Sequence, residues 1–323
     1  MTERIALDIH AHLAPVFPDD LDSVEGVTWK ADAKILSVDG HDVGMKPLFD
    51  PPALVAWMNE NNIAHAWISI PPPLYRMHLR SDDARHWVRY ANRGLQRIAD
   101  AHPEKLSPMP HLPLQDPEIA LDTARDWIAR GHRRFGAPSG GNGEQVLSDA
   151  AYEPLWRALN AAGAFVFFHP GECADGRLTA FYLSNLLGNP YETAVAIGHL
   201  TFGGVFERYP DIRFCFAHGG GVLPMLAGRF ERGFATARPG IETKAMAPRM
   251  TFRNVCVDCI VHDPDALALA EQVFGETQIV FGSDWPFPMG LIEPHRQMAA
   301  LDPAQRKRIF CDNPERILKE TTS

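Results

Sequence analysis

The chain has 323 residues, is 46% hydrophobic and carries a formal net charge of −9 at pH 7. An acidic chain without a block of basic residues is not expected to bind nucleic acid or an anionic membrane surface. It has no apolar stretch of about 18 residues that would predict a membrane span. No signal-peptide pattern precedes the first predicted strand, so we expect a cytoplasmic protein.

Eight apolar, β-rich runs alternate with segments of helical periodicity, which is typical of βα units. The predicted strands are Ile5–His10, His65–Ile70, Leu106–His111, His132–Gly136, Ala164–His169, Ile212–His218, Thr251–Asp258 and Gln278–Ser283. The predicted helices are Pro51–Asn61, Asp82–Ala101, Pro117–Arg130, Tyr152–Ala162, Tyr191–Arg208, Pro264–Phe274 and Pro303–Phe310. This order predicts an α/β fold, a (β/α)8 TIM barrel, formed as a single domain by residues 1–323.

One segment departs from the alternation of strands and helices. Residues 16–49 follow the first strand, are polar and rich in Asp and Gly, and are long for a βα loop. Loops at the carboxyl ends of the strands build the active sites of such barrels. We therefore expect this insertion to be a lid or a small β-rich cap over the site.

Side chains that can bind a metal ion stand at the ends of three predicted strands: His10 with His12, then His169, then Asp284. His10 and His12 are two residues apart, so they lie on one face of a strand. Three nitrogen donors and one carboxylate suit Zn²⁺, with Mn²⁺, Fe²⁺ or Co²⁺ as alternatives. A set without cysteine leaves a position for water, which is typical of a catalytic site. We predict one divalent metal ion on these four side chains.

His218 ends the sixth predicted strand, where it can reach a water bound to the metal ion. We predict that it acts as a general base and then as a general acid. The competing interpretation is that some of the 14 histidines lie near strand ends by chance. We expect His65, His111 and His132 to be structural or exposed, and Asp284 taken alone could cap a turn.

Cysteine usage predicts reduced thiols. The chain has five cysteines, an odd number, and Cys256 and Cys259 have the spacing of a CxxC motif without a second pair. These two residues fall in a strand-like run rather than a turn, so we expect buried structural thiols rather than a zinc or redox site.

Six motifs follow one another between residue 8 and residue 288 in the order of a known family. They are Asp8-Ile9-His10-Ala11-His12, His169-Pro170, Gly203-Gly204-Val205-Phe206-Glu207-Arg208-Tyr209-Pro210, Phe216-Ala217-His218-Gly219-Gly220-Gly221, Val261-His262-Asp263-Pro264 and Gly282-Ser283-Asp284-Trp285-Pro286-Phe287-Pro288. On these motifs the chain resembles the amidohydrolase superfamily. Within it, the chain is similar to the branch typified by 2-amino-3-carboxymuconate-6-semialdehyde decarboxylase.

The resemblance implies a single divalent metal ion, usually zinc, and a non-oxidative decarboxylation. The family's metal positions fall on His10, His12, His169 and Asp284, and its acid–base histidine falls on His218. The resemblance also implies that arginines bind the carboxylates of the substrate. Arg229 falls on one such position and Arg238 falls near another. In this branch such arginines can cross a dimer interface, so the resemblance implies a homodimer.

The substrate contacts have competing interpretations. Without the resemblance, the segment around Arg229 fits an ordinary surface helix equally well. Trp285 and Phe287 could stack on a planar substrate or simply pack in the protein. Lys46 stands near a position where the related sequences place an arginine, and lysine lacks the planar fork. We therefore expect a small-molecule carboxylate substrate, but not necessarily that of the branch.

Together, these features predict a metal-dependent decarboxylase of an unsaturated or aromatic (hydroxy)carboxylic acid, with His218 and Asp284 as catalytic residues. The alternative is a metal-dependent hydrolase of a lactone, an amide or a carbon–carbon bond. The same site activates water for attack, so fold and ligands do not separate the two reactions. A barrel that binds a ligand without catalysis is a third class, against which His218 and the open metal position argue.

Overall fold

The computed structural model describes residues 3–21, 23–140 and 146–322. The strands are β1 (Asp8–His12), β2 (Val27–Lys30), β3 (Ile35–Val38), β4 (His41–Val43), β5 (Ala66–Ser69), β6 (Leu106–Pro108), β7 (Arg134–Pro138), β8 (Phe165–His169), β9 (Arg213–Phe216), β10 (Cys256–Asp258) and β11 (Ile279–Val280). The α-helices are α1 (Pro18–Leu21), α2 (Pro51–Glu60), α3 (Ser81–Ala101), α4 (Pro117–Ala129), α5 (Glu153–Ala161), α6 (Asn189–Phe202), α7 (Val205–Arg208), α8 (Leu223–Ala235), α9 (Pro248–Phe252), α10 (Pro264–Phe274), α11 (Pro294–Gln297), α12 (Pro303–Lys307) and α13 (Asn313–Thr322).

Eight of the strands form a parallel barrel. β1, β5 and β6 pair in one run, and β7 to β11 pair in a second run. Two bridges join the runs: His111 pairs with Gly136, and Ala11 pairs with Trp285. The second bridge connects the first strand to the segment after the last one, which closes the barrel. The predicted (β/α)8 barrel is therefore confirmed.

The barrel interior is filled by side chains, as expected for strands that are buried on both faces. Trp67, Phe165, Phe167 and Cys215 are among the residues of this inner cluster. A larger cluster fills the space between the strands and the surrounding helices. Cys256 and Cys259 are buried and all five cysteines are free, as expected for structural thiols.

Four of the described helices begin with the same sequence signal, an aspartate followed by proline. The side chains of these aspartates accept a hydrogen bond from the backbone three residues later, at the starts of α2, α4, α10 and α12: Asp50, Asp116, Asp263 and Asp302. Proline fits the first helical position because its missing N–H would have no partner there. None of the helices in the described residues has the length and apolar character needed to cross a membrane.

Two predicted elements differ from the structure. The predicted helix Tyr191–Arg208 is divided into α6 and α7, because Gly204 adopts a left-handed conformation with φ of 67°. The predicted strand Thr251–Asp258 is wrong in its first part, where α9 ends at Phe252 and leaves only β10 as strand. The turn of helix after a proline at position 248 explains the difference.

The insertion at residues 16–49 contains α1 and an antiparallel sheet of β2, β3 and β4. It is attached to the barrel through Arg76, which is 7% exposed. The guanidinium of Arg76 donates to both carboxylate oxygens of Asp39 and to the Glu25 carbonyl. The insertion is therefore β-rich, as expected.

Candidate active site

The four predicted metal-binding side chains lie together at the carboxyl ends of the barrel strands. His10 and His12 are in β1, His169 ends β8, and Asp284 follows β11. Their candidate ligand atoms all lie within 4.8 Å of one another, and all four residues are buried. The Nε2 atoms of His10 and His12 lie 3.2 Å and 3.3 Å from one oxygen, Oδ1, of Asp284. Three imidazoles and one carboxylate form a donor set for one divalent metal ion.

Two of these donor atoms have no hydrogen-bond partner among the described residues. They are Nε2 of His169 and Oδ1 of Asp284, and both are buried. A buried polar atom without a partner costs about 1–3 kcal/mol. The other ring nitrogen of His169 lies 2.8 Å from the Pro170 carbonyl, to which it can donate, so that Nε2 keeps its lone pair. The residues present therefore fit a metal ion, which would use both atoms.

The other two imidazoles are oriented in the same way. Nδ1 of His10 is 2.7 Å from Oδ2 of Asp258, and Nδ1 of His12 is 3.1 Å from the Ser69 hydroxyl. A proton on each Nδ1 leaves Nε2 free to bind a metal ion. The Asp258 carboxylate, which can only accept, thus selects the tautomer that a metal site requires at His10. The Ser69 hydroxyl can donate or accept and is compatible with that tautomer at His12.

Asp258 is a site residue that the sequence analysis missed. It ends β10 and is completely buried. The signal was available, because the predicted strand Thr251–Asp258 ends in a carboxylate just as other strands end in His169 or His218. A carboxylate at a strand end can orient a metal ligand as well as bind the metal ion, and the position in the sequence alone does not distinguish the two roles.

His218 lies beside this group and faces a cavity. Its Nε2 is 3.7 Å from Oδ2 of Asp284, and 19% of its side chain is exposed. Its ring centroid is 5.0 Å from that of His169 and 5.4 Å from that of His10. Nδ1 of His218 is buried without a hydrogen-bond partner among the described residues. The ring can therefore exchange a proton with a molecule bound in the cavity.

The glycines after His218 are required by the path of the chain. His218, Gly219, Gly220 and Gly221 have φ values of 55°, 61°, 79° and 64°, a left-handed region that favours glycine. A Cβ atom at Gly219 would overlap Cγ1 of Val261, and one at Gly221 would overlap the Pro190 carbonyl. The Gly-Gly-Gly motif therefore allows His218 to approach the metal-binding group.

The electrostatic field of the site favours a positive charge. Burial opposes the protonation of His10, but the carboxylates of Asp284 and Asp258 outweigh it and raise the pKa of His10 to about 10. Burial likewise opposes the ionisation of Asp284, but the neighbouring histidines hold its pKa well below the usual range. Burial keeps the pKa of His169 well below its ordinary value, so His169 is neutral. Asp284 and His169 are therefore in the states that a metal ion needs, whereas His10 must lose the proton on Nε2 when an ion binds.

A cavity of about 920 Å³ opens next to the metal-binding group. His169, His218 and Asp284 line it together with apolar residues such as Ile260 and Phe287. The ring of Phe287 is 5.5 Å from that of His12. The described residues that line the cavity include no lysine and no arginine.

The other predicted substrate contacts lie elsewhere. Lys46 is exposed in the insertion, and Arg229 and Arg238 are exposed in and after α8. Trp285 is 5% exposed and packs toward Trp57, with ring centroids 6.3 Å apart. None of these four lines the cavity.

The structure does not confirm the insertion as a cap over the site. No described residue of 16–49 lines the cavity, whose walls come mainly from the segments that follow β8, β9, β10 and β11. The cap over the metal-binding group therefore stays a prediction, and the hydrogen bonds of Arg76 to Asp39 tie the insertion to the segment that follows β5.

Comparison with known proteins identifies the family. The sequence profile described as amidohydrolase matches residues 7–319. The chain belongs to the amidohydrolase family. It is 32% identical over 253 residues to 2-amino-3-carboxymuconate-6-semialdehyde decarboxylase of Dictyostelium discoideum, covering 76% of this chain and 69% of the relative. The Caenorhabditis elegans protein of the same name is 27% identical over 369 residues, covering 93% and 90%. The predicted branch of the superfamily is confirmed.

A solved structure supports the assignment of the fold. The 5-carboxyvanillate decarboxylase of Novosphingobium aromaticivorans, solved with bound manganese, aligns with a TM-score of 0.78 at 20% identity. The alignment covers 97% of each chain. In the described residues, the group of His10, His12, His169 and Asp284 is suited to one metal ion.

Proposed function

We propose that this protein is a metal-dependent, non-oxidative decarboxylase of an unsaturated or aromatic carboxylic acid. The observation that carries the proposal is the buried group of His10, His12, His169 and Asp284, with His218 beside it at the wall of a cavity. The names of the relatives support this reaction, since the muconate semialdehyde is unsaturated and carboxyvanillate is aromatic.

The four side chains of the metal-binding group are the proposed ligands of one divalent ion. Zn²⁺ suits three imidazoles and a carboxylate, and Mn²⁺, present in the related structure, is the first alternative before Fe²⁺ and Co²⁺. When bound, the ion supplies fixed positive charge that stabilises negative charge developing on the substrate. Elemental analysis of protein produced with equal supplies of these metals identifies the ion.

The chain's own residues supply the remaining steps. When the bond between the ring or chain carbon and the carboxyl carbon breaks, CO₂ leaves and the electron pair stays on the substrate carbon. His218, which faces the cavity, gives the proton that this carbon requires. The apolar walls, including Phe287, exclude water and pack against a planar substrate.

We further propose a homodimer in which Arg229 and Arg238 of one subunit bind a substrate carboxylate in the partner's cavity. Two observations support this arrangement. The described cavity lining contains no lysine or arginine, and both arginines are exposed. Large apolar side chains are also exposed near the cavity, at Phe181, Tyr182, Leu186, Leu187, Tyr191 and Met225. Such a patch is typical of a protein interface.

The free cysteines support a location in the cytoplasm.

The test is CO₂ release by metal-loaded protein from a panel of muconate semialdehyde and hydroxyaryl carboxylates. We expect His218→Asn to lower kcat by at least 100-fold while metal content stays unchanged, because the variant lacks the proton donor but keeps all four ligands. Full activity of this variant would exclude the proposed role of His218. Formation of a new carboxylic acid without CO₂ would instead identify the protein as a hydrolase.

A further inference from the structure

Asp258 lies between the metal-binding group and the segment that carries His218. Its Oδ2 is 2.7 Å from Nδ1 of His10. Its Oδ1 accepts two backbone hydrogen bonds, from the N–H of Gly219 and the N–H of Ile260, each 3.0 Å long. The side chain is completely buried, so water does not substitute for these partners.

These contacts join three barrel strands. His10 belongs to β1, Gly219 follows His218 after β9, and Asp258 itself ends β10. The contact with Gly219 is made at the first glycine of the left-handed turn, next to the proposed proton donor. One carboxylate therefore fixes a metal-binding imidazole on one side and the turn that carries His218 on the other.

We propose that Asp258 is a positioning residue that holds His10 and His218 in one arrangement. The inference rests on the proposed function, because it assigns to Asp258 a role in the reaction that uses both histidines. Asp258 makes no contact with the substrate in this role and acts only through its two neighbours.

The hydrogen-bonding pattern requires a carboxylate at this position. All three partners present N–H groups when His10 keeps its proton on Nδ1, so both oxygens of Asp258 must accept. The side chain of asparagine has one accepting oxygen and one donating NH₂ group. It can satisfy His10 or the two backbone N–H groups, but not both sides at once.

Each orientation of asparagine has a different consequence. If its NH₂ group faces His10, the imidazole must accept at Nδ1 and carry its proton on Nε2, which prevents metal binding. If its NH₂ group faces the backbone, two donors meet the N–H groups of Gly219 and Ile260, and the turn with His218 shifts. The first case weakens metal binding, and the second lowers kcat with the metal retained.

The experiment compares Asp258→Asn with Asp263→Asn, using the full chain. Asp263 is an exposed aspartate that caps α10, and asparagine caps helices equally well, so this control keeps metal affinity and kcat. We expect Asp258→Asn to lose 10- to 100-fold in Zn²⁺ affinity or in kcat, with little change in KM. Metal affinity and kcat that both stay within twofold of the original protein would overturn the inference.

A second measurement does not depend on the folding of the variant. Nitrogen-15 histidine NMR of the original zinc-loaded protein reports which ring nitrogen carries the proton, with the His10 signals assigned by their loss in His10→Gln. We expect a proton on Nδ1 of His10, and its absence from Nδ1 would overturn the inference. Zinc affinity and NMR need no substrate, so failure of the decarboxylase proposal appears separately, as absence of CO₂ release from the original protein.

Discussion

His111 shows how one buried imidazole responds to its surroundings without any metal. It is 2% exposed and stacks on Tyr75 with ring centroids 4.8 Å apart. Its Nε2 has no hydrogen-bond partner in the described residues, and burial lowers the pKa of His111 to about 3. The folded protein therefore keeps His111 neutral at a pH where the unfolded chain protonates it.

This difference predicts a loss of stability in acid. Between the ordinary pKa of about 6.5 and the folded value, only the unfolded chain binds the proton, so stability falls as the pH falls. We expect His111 to account for about 2–3 kcal/mol of the stability lost between pH 6.5 and 4.5. Urea unfolding of metal-free protein should show a flatter pH dependence for His111→Asn.

The matched control is His41→Asn, which changes an exposed histidine in β4. This variant should keep the pH dependence of the original protein. An unchanged slope in His111→Asn would show that burial of this ring does not contribute to acid unfolding.

Individual site residues differed in how well the sequence predicted them. His10, His12, His169 and Asp284 were predictable because strand ends in a barrel converge on one mouth. The sequence did not show which of Trp285 and Phe287 packs in the core and which faces the cavity. The turn that directs the ring of Trp285 into the core and that of Phe287 into the cavity depends on the pairing of Ala11 with Trp285. No local pattern encodes that long-range contact.

Among the elements, the turn after β9 gives a direct test of geometry. Gly219→Ala should lower kcat by at least tenfold, because the new Cβ overlaps Val261 and the turn moves His218. Metal content should stay unchanged, since none of the four ligands lies in this turn. Steady-state kinetics and metal analysis of the purified variant measure both quantities.

Gly163→Ala is the control for backbone strain alone. Gly163 has φ of 60°, almost the value of Gly219, but a Cβ atom there meets nothing within 4 Å. It should cost about 1 kcal/mol of stability and leave kcat unchanged. Equal kcat in the two variants would mean that the position of His218 does not depend on this turn.

Sequence periodicity predicts the long strands and helices but not the short helices. Strands and helices with long apolar patterns were predicted, because their burial fixes the pattern. The division between α6 and α7 depends on a left-handed Gly204, and the helical turn α9 is too short to show a helical period. Their conformations are set by packing against neighbouring elements rather than by local preference.

For the whole molecule, the proposed dimer predicts a link between assembly and catalysis. Met225 is 80% exposed and lines the cavity on α8. Met225→Glu places a charge in the apolar patch, so we expect monomers and at least a tenfold higher KM at unchanged metal content. Analytical ultracentrifugation and kinetics at several protein concentrations measure these effects.

Ala304→Glu provides the comparison at an exposed site in α12, away from the cavity lining. Ala304→Glu should have the same oligomeric state and the same KM as the original protein. If the original protein is a monomer and its KM is the same at all protein concentrations, the proposed dimer and the role of Arg229 in a partner's cavity are contradicted.

The bridge between Ala11 and Trp285 has a consequence for the stage of synthesis at which the barrel can close. A chain emerging from the ribosome exposes three of the four candidate donors once His169 is synthesised, but Asp284 comes more than a hundred residues later. Asp284, the last donor, and Trp285, which forms the last pairing of the barrel, are adjacent in the sequence and are synthesised nearly together. The complete set of four donors therefore exists only once Asp284 has been synthesised, and a fragment that ends before it holds at most three donors and lacks the closing pair of the barrel.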